Sequence, residues 1–370
     1  MKKELKLEMS RENNQKKRLL ILNPGSTSTK IAVYEDEQEI FKENITHSVE
    51  DLAAYEHVAD QAEFRMKLIM DMLQDHGFSL SDFQAIVARG GILPPIKTGA
   101  YLVNEAMVDQ LIYRPVLEHA SNLGAIIGYQ LAQKNCIPCF IYDGVSADEM
   151  KPVLKITGLP ELKRKGQGHN LNLRAVAMRY AQEHGNTLEE SNLIAAHMGG
   201  GISVALFEHG RIIDIINDED GPFTPERAGA LPMLQLVDLF MDPTVDHADL
   251  KKKIRSGGGF SAYFGTNDVR EVEKLMKEDN EKAKEVFDAF AINVAKCIGK
   301  EAPVVCGKLN GIILTGGIAY SEKVTQRITE MVSYLAPVIV YAGENELESL
   351  ALGGLRVLRG QENYTEFVSE

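Results

Sequence analysis

Apolar residues in this chain gather into short runs broken by glycine-rich turns, with longer stretches of mixed spacing between them. From Arg18 to Phe41, RLLILNPGSTSTKIAVYEDEQEIF carries an apolar run, a Gly/Ser/Thr turn, a second apolar run and, after Glu37, a third. Runs of this length bounded by turn residues predict three β-strands. The segment from Asn192 to Ile215, NLIAAHMGGGISVALFEHGRIIDI, repeats the layout. Its offset is constant, since Asn23 stands against His197 and Gly25 against Gly199, each 174 positions apart. Self-similarity at about half the chain length predicts a duplicated domain, not a short-repeat solenoid.

Between these segments the spacing predicts helices over Asp60–His76, Asn104–Tyr113 and Ala120–Gln133, with short strands at Ala85–Ala88 and Cys139–Tyr142. The second half is expected to carry helical stretches near Leu231–Met241, Val269–Glu301 and Ser321–Leu335. A third glycine turn ends the strand Gly311–Thr315 at Gly316 and Gly317. Strands alternating with helices indicate an α/β protein, and 370 residues favour two lobes with a cleft between them.

Composition narrows the function. The hydrophobic fraction of 44% and charged fraction of 25% are those of a globular chain, and no apolar run approaches the roughly 18 residues that cross a bilayer. A formal charge of -13 argues against broad nucleic-acid binding, so an anionic substrate needs a local basic site. The first 17 residues, charged and without an apolar core, read as an extension and not as a signal peptide. Cys136, Cys139, Cys297 and Cys306 lack disulfide-framework and zinc spacing and are expected to be ordinary thiols in a reducing cytoplasm.

Several residues carry chemistry. In NPGSTSTK a period of two puts Ser26, Ser28 and Lys30 on one face, which suits phosphate, although a solvated Ser/Thr hairpin has the same pattern. Neither the Walker spacing nor the dinucleotide fingerprint is present. In AHMGGGISV, Gly199, Gly200 and Gly201 follow an apolar strand, where three bare residues favour close phosphate approach over a plain turn. Arg89, before two glycines, and Arg227, in a Pro/Gly loop, lie on no helix face that would pair them. Arginine is the side chain best shaped to grip carboxylate or phosphoryl oxygens. Asp143 ends a strand and reads either as a functional carboxylate or as an Asx turn before Gly144, while His119, His169 and His197 stay open between structural and catalytic roles.

The order NPGSTSTK, EHASNLGAI, AHMGGGISV, DGPFTPERAG, GTNDVREV and LTGGIA, from about Arg18 to Gly360, resembles the acetokinase family of acetate and butyrate kinases, within the sugar kinase, Hsp70 and actin superfamily. NPGSTSTK with AHMGGGISV is similar to the butyrate branch. The resemblance implies a duplicated ribonuclease H-like (actin-like ATPase) fold with a central cleft: a first domain over 18–150 plus about 347–370, a second over 151–346. It implies that Asn23, Ser26, Ser28 and Lys30 form the first phosphate turn, and that Arg89 and Arg227 contact the carboxylate and the transferring phosphoryl group. His119, His169 and His197 would be cleft histidines, with His119 on the substrate side and His169 near the phosphoryl group. Gly199, Gly200, Gly201, Asp268, Val269, Arg270, Gly316 and Gly317 would surround ATP. Asp143 and Glu346 would hold Mg2+, with Glu344 as a competing carboxylate. Homodimers or larger homo-oligomers are also implied.

The expected reaction is phosphorylation of butyrate to butyryl phosphate with release of ADP. Branched-chain, acetate or propionate kinases, a sugar kinase and an actin-like ATP switch are the alternatives. A carboxylate with a pKa of about 4 to 5 is already ionised at neutral pH, so no general base is required. Repulsion is the obstacle, and two arginines, Lys30 and magnesium offer the opposing charge.

Overall fold

The computed structural model describes residues 16–369, so the extension read over residues 1–17 lies, up to residue 15, outside the described residues. The chain divides into two compact units, one taking the sequence up to Asp148 together with the segment from Asn345 onward, the other Glu149–Glu344.

The first unit holds β1 (Arg18–Pro24), β2 (Ser28–Glu35), β3 (Gln38–Thr46), β4 (Ala85–Arg89), β5 (Ala100–Leu102), β6 (Cys139–Tyr142) and the last strand, β12 (Tyr364–Glu366). Its sheet runs β12-β5-β6-β4-β1-β2-β3. β1 to β3 form an antiparallel meander, whereas β4 lies parallel to β1, and β6 parallel to β4. Alternation along β1 gives each face its own cover. Leu20 and Leu22 join a core with Ile69 and Leu73 of the helix Ala62–Asp75 and with Leu123 and Ile127 of the helix Asn122–Asn135. The opposite face receives the helix Glu346–Leu358, where a methyl group on Gly354 would stand 2.4 Å from Val87 Cγ2 and one on Gly353 2.6 Å from the Tyr142 ring. Those two glycines let the helix lie directly on the sheet.

The second unit repeats the plan with β7 (Leu193–Met198), β8 (Ile202–Glu208), β9 (Arg211–Ile216), β10 (Gly311–Gly316) and β11 (Val338–Ala342), ordered β11-β10-β7-β8-β9. Again a three-strand meander is followed by two parallel strands. The duplication reaches fine detail: a register shift interrupts β2–β3 between Val33 and Tyr34 and β8–β9 between Leu206 and Phe207. The helices Glu281–Glu301 and Glu322–Val332 cover one face, and Asn170–Glu183 covers the other.

One expected element breaks in two. Val269–Glu301 is the helix Val269–Lys277 followed by Glu281–Glu301, because Asp279 adopts a left-handed φ of 59° and the Asn280 side chain accepts the Ala283 N–H to start a new helix. The helices Asn170–Glu183, His247–Ser256 and Gly259–Phe264 and the strands β5, β11 and β12 were not expected from spacing. Among the described residues no helix is long and apolar enough to cross a membrane, and all four cysteines are free.

Candidate functional site

In the first unit the turn between β1 and β2 is closed by the Gly25 N–H donating to Ser28 O at 2.7 Å and the His47 N–H to Thr27 O at 2.9 Å. Ser26 and Lys30 are exposed and Ser28 half-buried, while Thr29 points inward, so the period of two places Ser28 and Lys30 on the outer face. Asn23 is buried one residue before the end of β1, and its Nδ2 donates to Glu346 Oε2 at 2.6 Å. Arg89 ends β4 and its Nη1 reaches Glu346 Oε1 at 2.8 Å and Asn23 Oδ1 at 3.4 Å. Asn23, Arg89 and Glu346 therefore form one cluster, in which each Glu346 oxygen has a donor. His119, whose Nδ1 meets Ser121 Oγ at 2.8 Å, is held below its ordinary pKa by burial and by Arg89.

Asp143 follows β6 with a left-handed φ of 44°, 3% exposed, and its Oδ1 accepts the Gly99 N–H at 2.7 Å. A non-glycine residue in that region at a strand end carries backbone strain of the kind that clusters at functional positions. No group of three or more His, Cys, Asp or Glu side chains among the described residues is placed to hold a metal by itself. Mg2+ commonly takes one or two protein carboxylates and completes its shell with water and phosphate oxygens, a demand that one strand-end carboxylate fits. Of the competing carboxylates, Glu346 joins Arg89 and Asn23, whereas Glu344 lies 3.3 Å from His197 Nε2.

In the second unit the equivalent turn gathers different chemistry. His197, one residue before the end of β7, is 2% exposed and stacked on His169 with ring centroids 4.0 Å apart. Its Nδ1 accepts from Asn172 Nδ2 at 2.8 Å, which leaves Nε2 to carry the proton toward Glu344. Burial, reinforced by His169, pushes its pKa down to about 2, so His197 is a neutral ring. His169 Nδ1 meets Ser203 Oγ at 2.9 Å. Thr224 Oγ1 donates to Gly200 O at 2.6 Å and accepts the Arg227 N–H at 3.0 Å, locking the Pro/Gly loop to the turn. The Arg227 guanidinium pairs with Asp218.

Bare backbone at this turn makes room for the protein's own side chains. A methyl group on Gly201 would stand 2.9 Å from Arg227 Nη1 and 3.2 Å from His169 Cε1, and one on Gly200 3.1 Å from Glu226 Oε1. Gly316, at a φ of 87°, closes on Met198, where a methyl group would meet the main-chain oxygen at 2.3 Å, but Gly317 faces open space. Asp268 caps the helix Val269–Lys277 by accepting the Arg270 N–H at 2.8 Å and pairs with the exposed Arg270 side chain at 2.6 Å, a contact that lowers its pKa. Val269 is buried behind this cap. His169, His197, Arg227 and Gly199 to Gly201 thus come together, while Asp268 to Arg270 form a separate cap group joined to the turn's surroundings through Asn267 Nδ2 and Glu226 Oε2 at 3.3 Å.

Residues 162–341 match the acetokinase family. The chain is 47% identical over 346 residues to a probable butyrate kinase 2 of Caldanaerobacter subterraneus subsp. tengcongensis, covering 93% of this chain and 98% of that protein. The chain belongs to the acetokinase family. Butyrate kinase 1 of Clostridium acetobutylicum is 45% identical over 352 residues, covering 95% of this chain and 99% of the other. A crystal structure of Porphyromonas gingivalis acetate kinase superposes with a TM-score of 0.76 at 17% identity, over 92% of this chain and 99% of that one. With the repeated sheets, this establishes the duplicated ribonuclease H-like, actin-like ATPase fold.

Beyond the family's motifs, the structure adds residues that sequence reasoning passed over. Asp218 and Glu226 flank Arg227 and the glycine turn, and Asn172 fixes the His197 tautomer. In the first unit of this acetokinase-family chain, Arg65 is 1% exposed and takes main-chain oxygens of the turn itself. A signal for it exists: Ala62, Arg65, Ile69 and Leu73 share one helix face, so the charge sits on an apolar stripe.

Proposed function

We propose that this protein is an ATP-dependent carboxylate kinase that transfers the γ-phosphoryl group of ATP to butyrate or a close short-chain acid, reversibly and in line. The observation that carries the proposal is Arg227 lying over Gly201 beside His169, at a spacing that a Cβ would close. A guanidinium next to a turn without side chains is suited to the equatorial oxygens of a phosphoryl group in transfer. Arg89 supports the acid half, because in this structure it already binds a carboxylate, that of Glu346. A substrate acid competing for Arg89 needs no deprotonation, only charge and alignment.

Asn23, Ser26, Ser28 and Lys30 of the first unit, and Gly199 to Gly201, His197, Gly316, Gly317 and Asp268 to Arg270 of the second, are each proposed to contact ATP. His169 steadies charge on the phosphoryl oxygens, and His119 lines the acid's approach. Asp143 would hold Mg2+, which when bound neutralises phosphate charge, with Glu346 or Glu344 available as a second carboxylate. We place the enzyme in a reducing compartment such as the cytoplasm, consistent with four free thiols. We also propose assembly with a second copy, supported by the helix Met233–Met241, whose Met233, Leu234, Val237, Phe240 and Met241 are all more than half exposed.

The test is a panel of straight and branched acids and sugars, with acyl phosphate trapped as hydroxamate. Acid-dependent ADP release is expected. Two extra methylenes buried in an apolar pocket favour butyrate over acetate in kcat/KM by about fifteen-fold, at ~0.8 kcal/mol each. Acetate equal to butyrate would remove the substrate preference, and sugar-dependent release would remove the carboxylate reading itself.

A further inference from the structure

We propose that Arg65 is a positioning residue for the first glycine turn, and that its buried charge is kept without a protein counter-ion so that bound phosphate can balance it. The proposal rests on the reading of NPGSTST as a phosphate turn. Arg65 projects from the helix Ala62–Asp75 beneath that turn. Its Nη1 donates to Gly25 O at 2.8 Å, to Ser28 O at 3.2 Å and to Thr29 Oγ1 at 3.2 Å. Nη2 donates to Ser26 O at 3.0 Å and to Gln61 Oε1 at 2.7 Å, and Nε reaches the same Gln61 oxygen at 3.2 Å. The carbonyls of Gly25, Ser26 and Ser28 are thereby drawn toward the helix, which fixes the turn from below while Ser26 and Lys30 remain exposed above it.

Every acceptor in that set is neutral. A guanidinium this deeply buried ordinarily meets a carboxylate, because an unpaired charge out of water is costly. Among the described residues Arg65 has none. Burial lowers its pKa only to about 10, which leaves it protonated at neutral pH. The neighbouring His47 supplies no charge either. Thr29 Oγ1, which accepts from Arg65, also meets His47 Nε2 at 2.9 Å, and burial together with Arg65 pushes the histidine pKa down to about 4. The result is a cation one backbone thickness from the outer face of the turn, in surroundings where screening is weak. An anion seated on that face is attracted by Arg65 without touching it.

Gln61 allows the charge to be tested apart from the scaffold. Gln61→Glu keeps the accepting oxygen in place and adds a near-isosteric counter-ion. On our proposal this variant is as stable as wild type or more so, yet binds ATP and inorganic tripolyphosphate about tenfold more weakly, with adenosine binding unchanged. Arg65→Met is expected to weaken ATP in the same direction, and Arg65→Lys to restore part of it. A purely structural Arg65 predicts the opposite combination, in which Gln61→Glu leaves tripolyphosphate affinity at the wild-type value. That result overturns the proposal even if Arg65→Met fails to fold. The phosphate-turn reading fails separately, through a Ser26→Ala, Ser28→Ala double variant that binds tripolyphosphate normally. If that double variant binds weakly while Gln61→Glu binds normally, the turn stands and the role of Arg65 falls.

Discussion

The turn after β1 and the turn after β7 stand at equivalent places in two sheets that share a five-strand order, but the first is held from beneath by Arg65 and the second is flanked by His169, His197 and Arg227. At the first turn the backbone carbonyls are occupied and the hydroxyls of Ser26 and Ser28 remain on the open side. At the second the missing side chains of Gly200 and Gly201 admit Glu226, Arg227 and His169. Duplication has preserved the strand order and even the strand irregularity, while the polar groups around each turn have diverged. The difference teaches that glycine has two uses here: Gly25 has room around it, with the nearest atom to an added methyl at 3.6 Å, whereas Gly201 is required by neighbours.

The sharpest way to break this contrast is to remove the arginine that crowds the second turn. Arg227→Ala is expected to lower turnover by roughly three to five orders of magnitude, the range of arginines that stabilise phosphoryl transfer, while the fold survives. Its side chain is about one-third exposed and its main-chain bonds to Thr224 do not depend on the guanidinium. Circular dichroism with steady-state kinetics checks both halves, and near-normal turnover in a folded variant takes Arg227 out of the mechanism.

A paired substitution tests the two uses of glycine. Gly201→Ala places a methyl group 2.9 Å from Arg227 Nη1, so that either the arginine or the turn must shift. A displacement of about 1 Å in a positioning group costs on the order of a hundredfold in rate. Gly25→Ala meets nothing closer than Ser28 O at 3.6 Å and should change kcat/KM by less than about threefold, as surface substitutions usually do. Equal losses in both variants, measured by kcat/KM, would erase the distinction.

The duplicated plan was legible in the sequence because a repeat offset and bounded apolar runs are local properties. The strand Cys139–Tyr142 appears with the expected limits, and the pairing of β1 with β2 brings Asn23 opposite Lys30. Three-residue strands such as β5 and β12 carry too few positions for a period to show. The candidate side chains stood out by type, as arginines and glycines in turns, but their partners did not. Asn23 and Glu346 meet across 323 positions, and Asp143 spends an oxygen on Gly99, 44 positions away. The three glycines were expected to make room for phosphate; the structure shows Gly201 making room for Arg227 and His169, and Gly200 for Glu226. Arg65 escaped because its acceptors are main-chain oxygens of another segment, a partnership that leaves no charge pattern.

The smallest expected effects concern pH and separate two buried groups of the second unit. His197 is held neutral with a pKa near 2, against about 6.5 for a free histidine, so the unfolded chain takes up a proton below pH 6.5 that the folded chain refuses. That group alone removes stability as pH falls, by about 1.4 kcal/mol per unit at most. Glu301 acts in the opposite sense. It is 1% exposed, neither carboxyl oxygen has a hydrogen-bond partner among the described residues, and burial, followed by the charge of Asp214, raises its pKa to about 9. Above about pH 4.5 the folded state keeps a proton that the unfolded chain releases, so stability is lost as pH rises toward 9. Between pH 4.5 and 6.5 the two slopes oppose each other. His197→Gln should therefore leave a second unit that gains stability toward acid, and Glu301→Gln one that loses it, while above pH 6.5 only Glu301→Gln departs from the wild-type slope. Hydrogen exchange of the β7 and β10 amides, read from pH 5 to 8 with correction for intrinsic rates, measures both. Parallel pH profiles for wild type and Glu301→Gln would show that Glu301 is not a buried neutral acid.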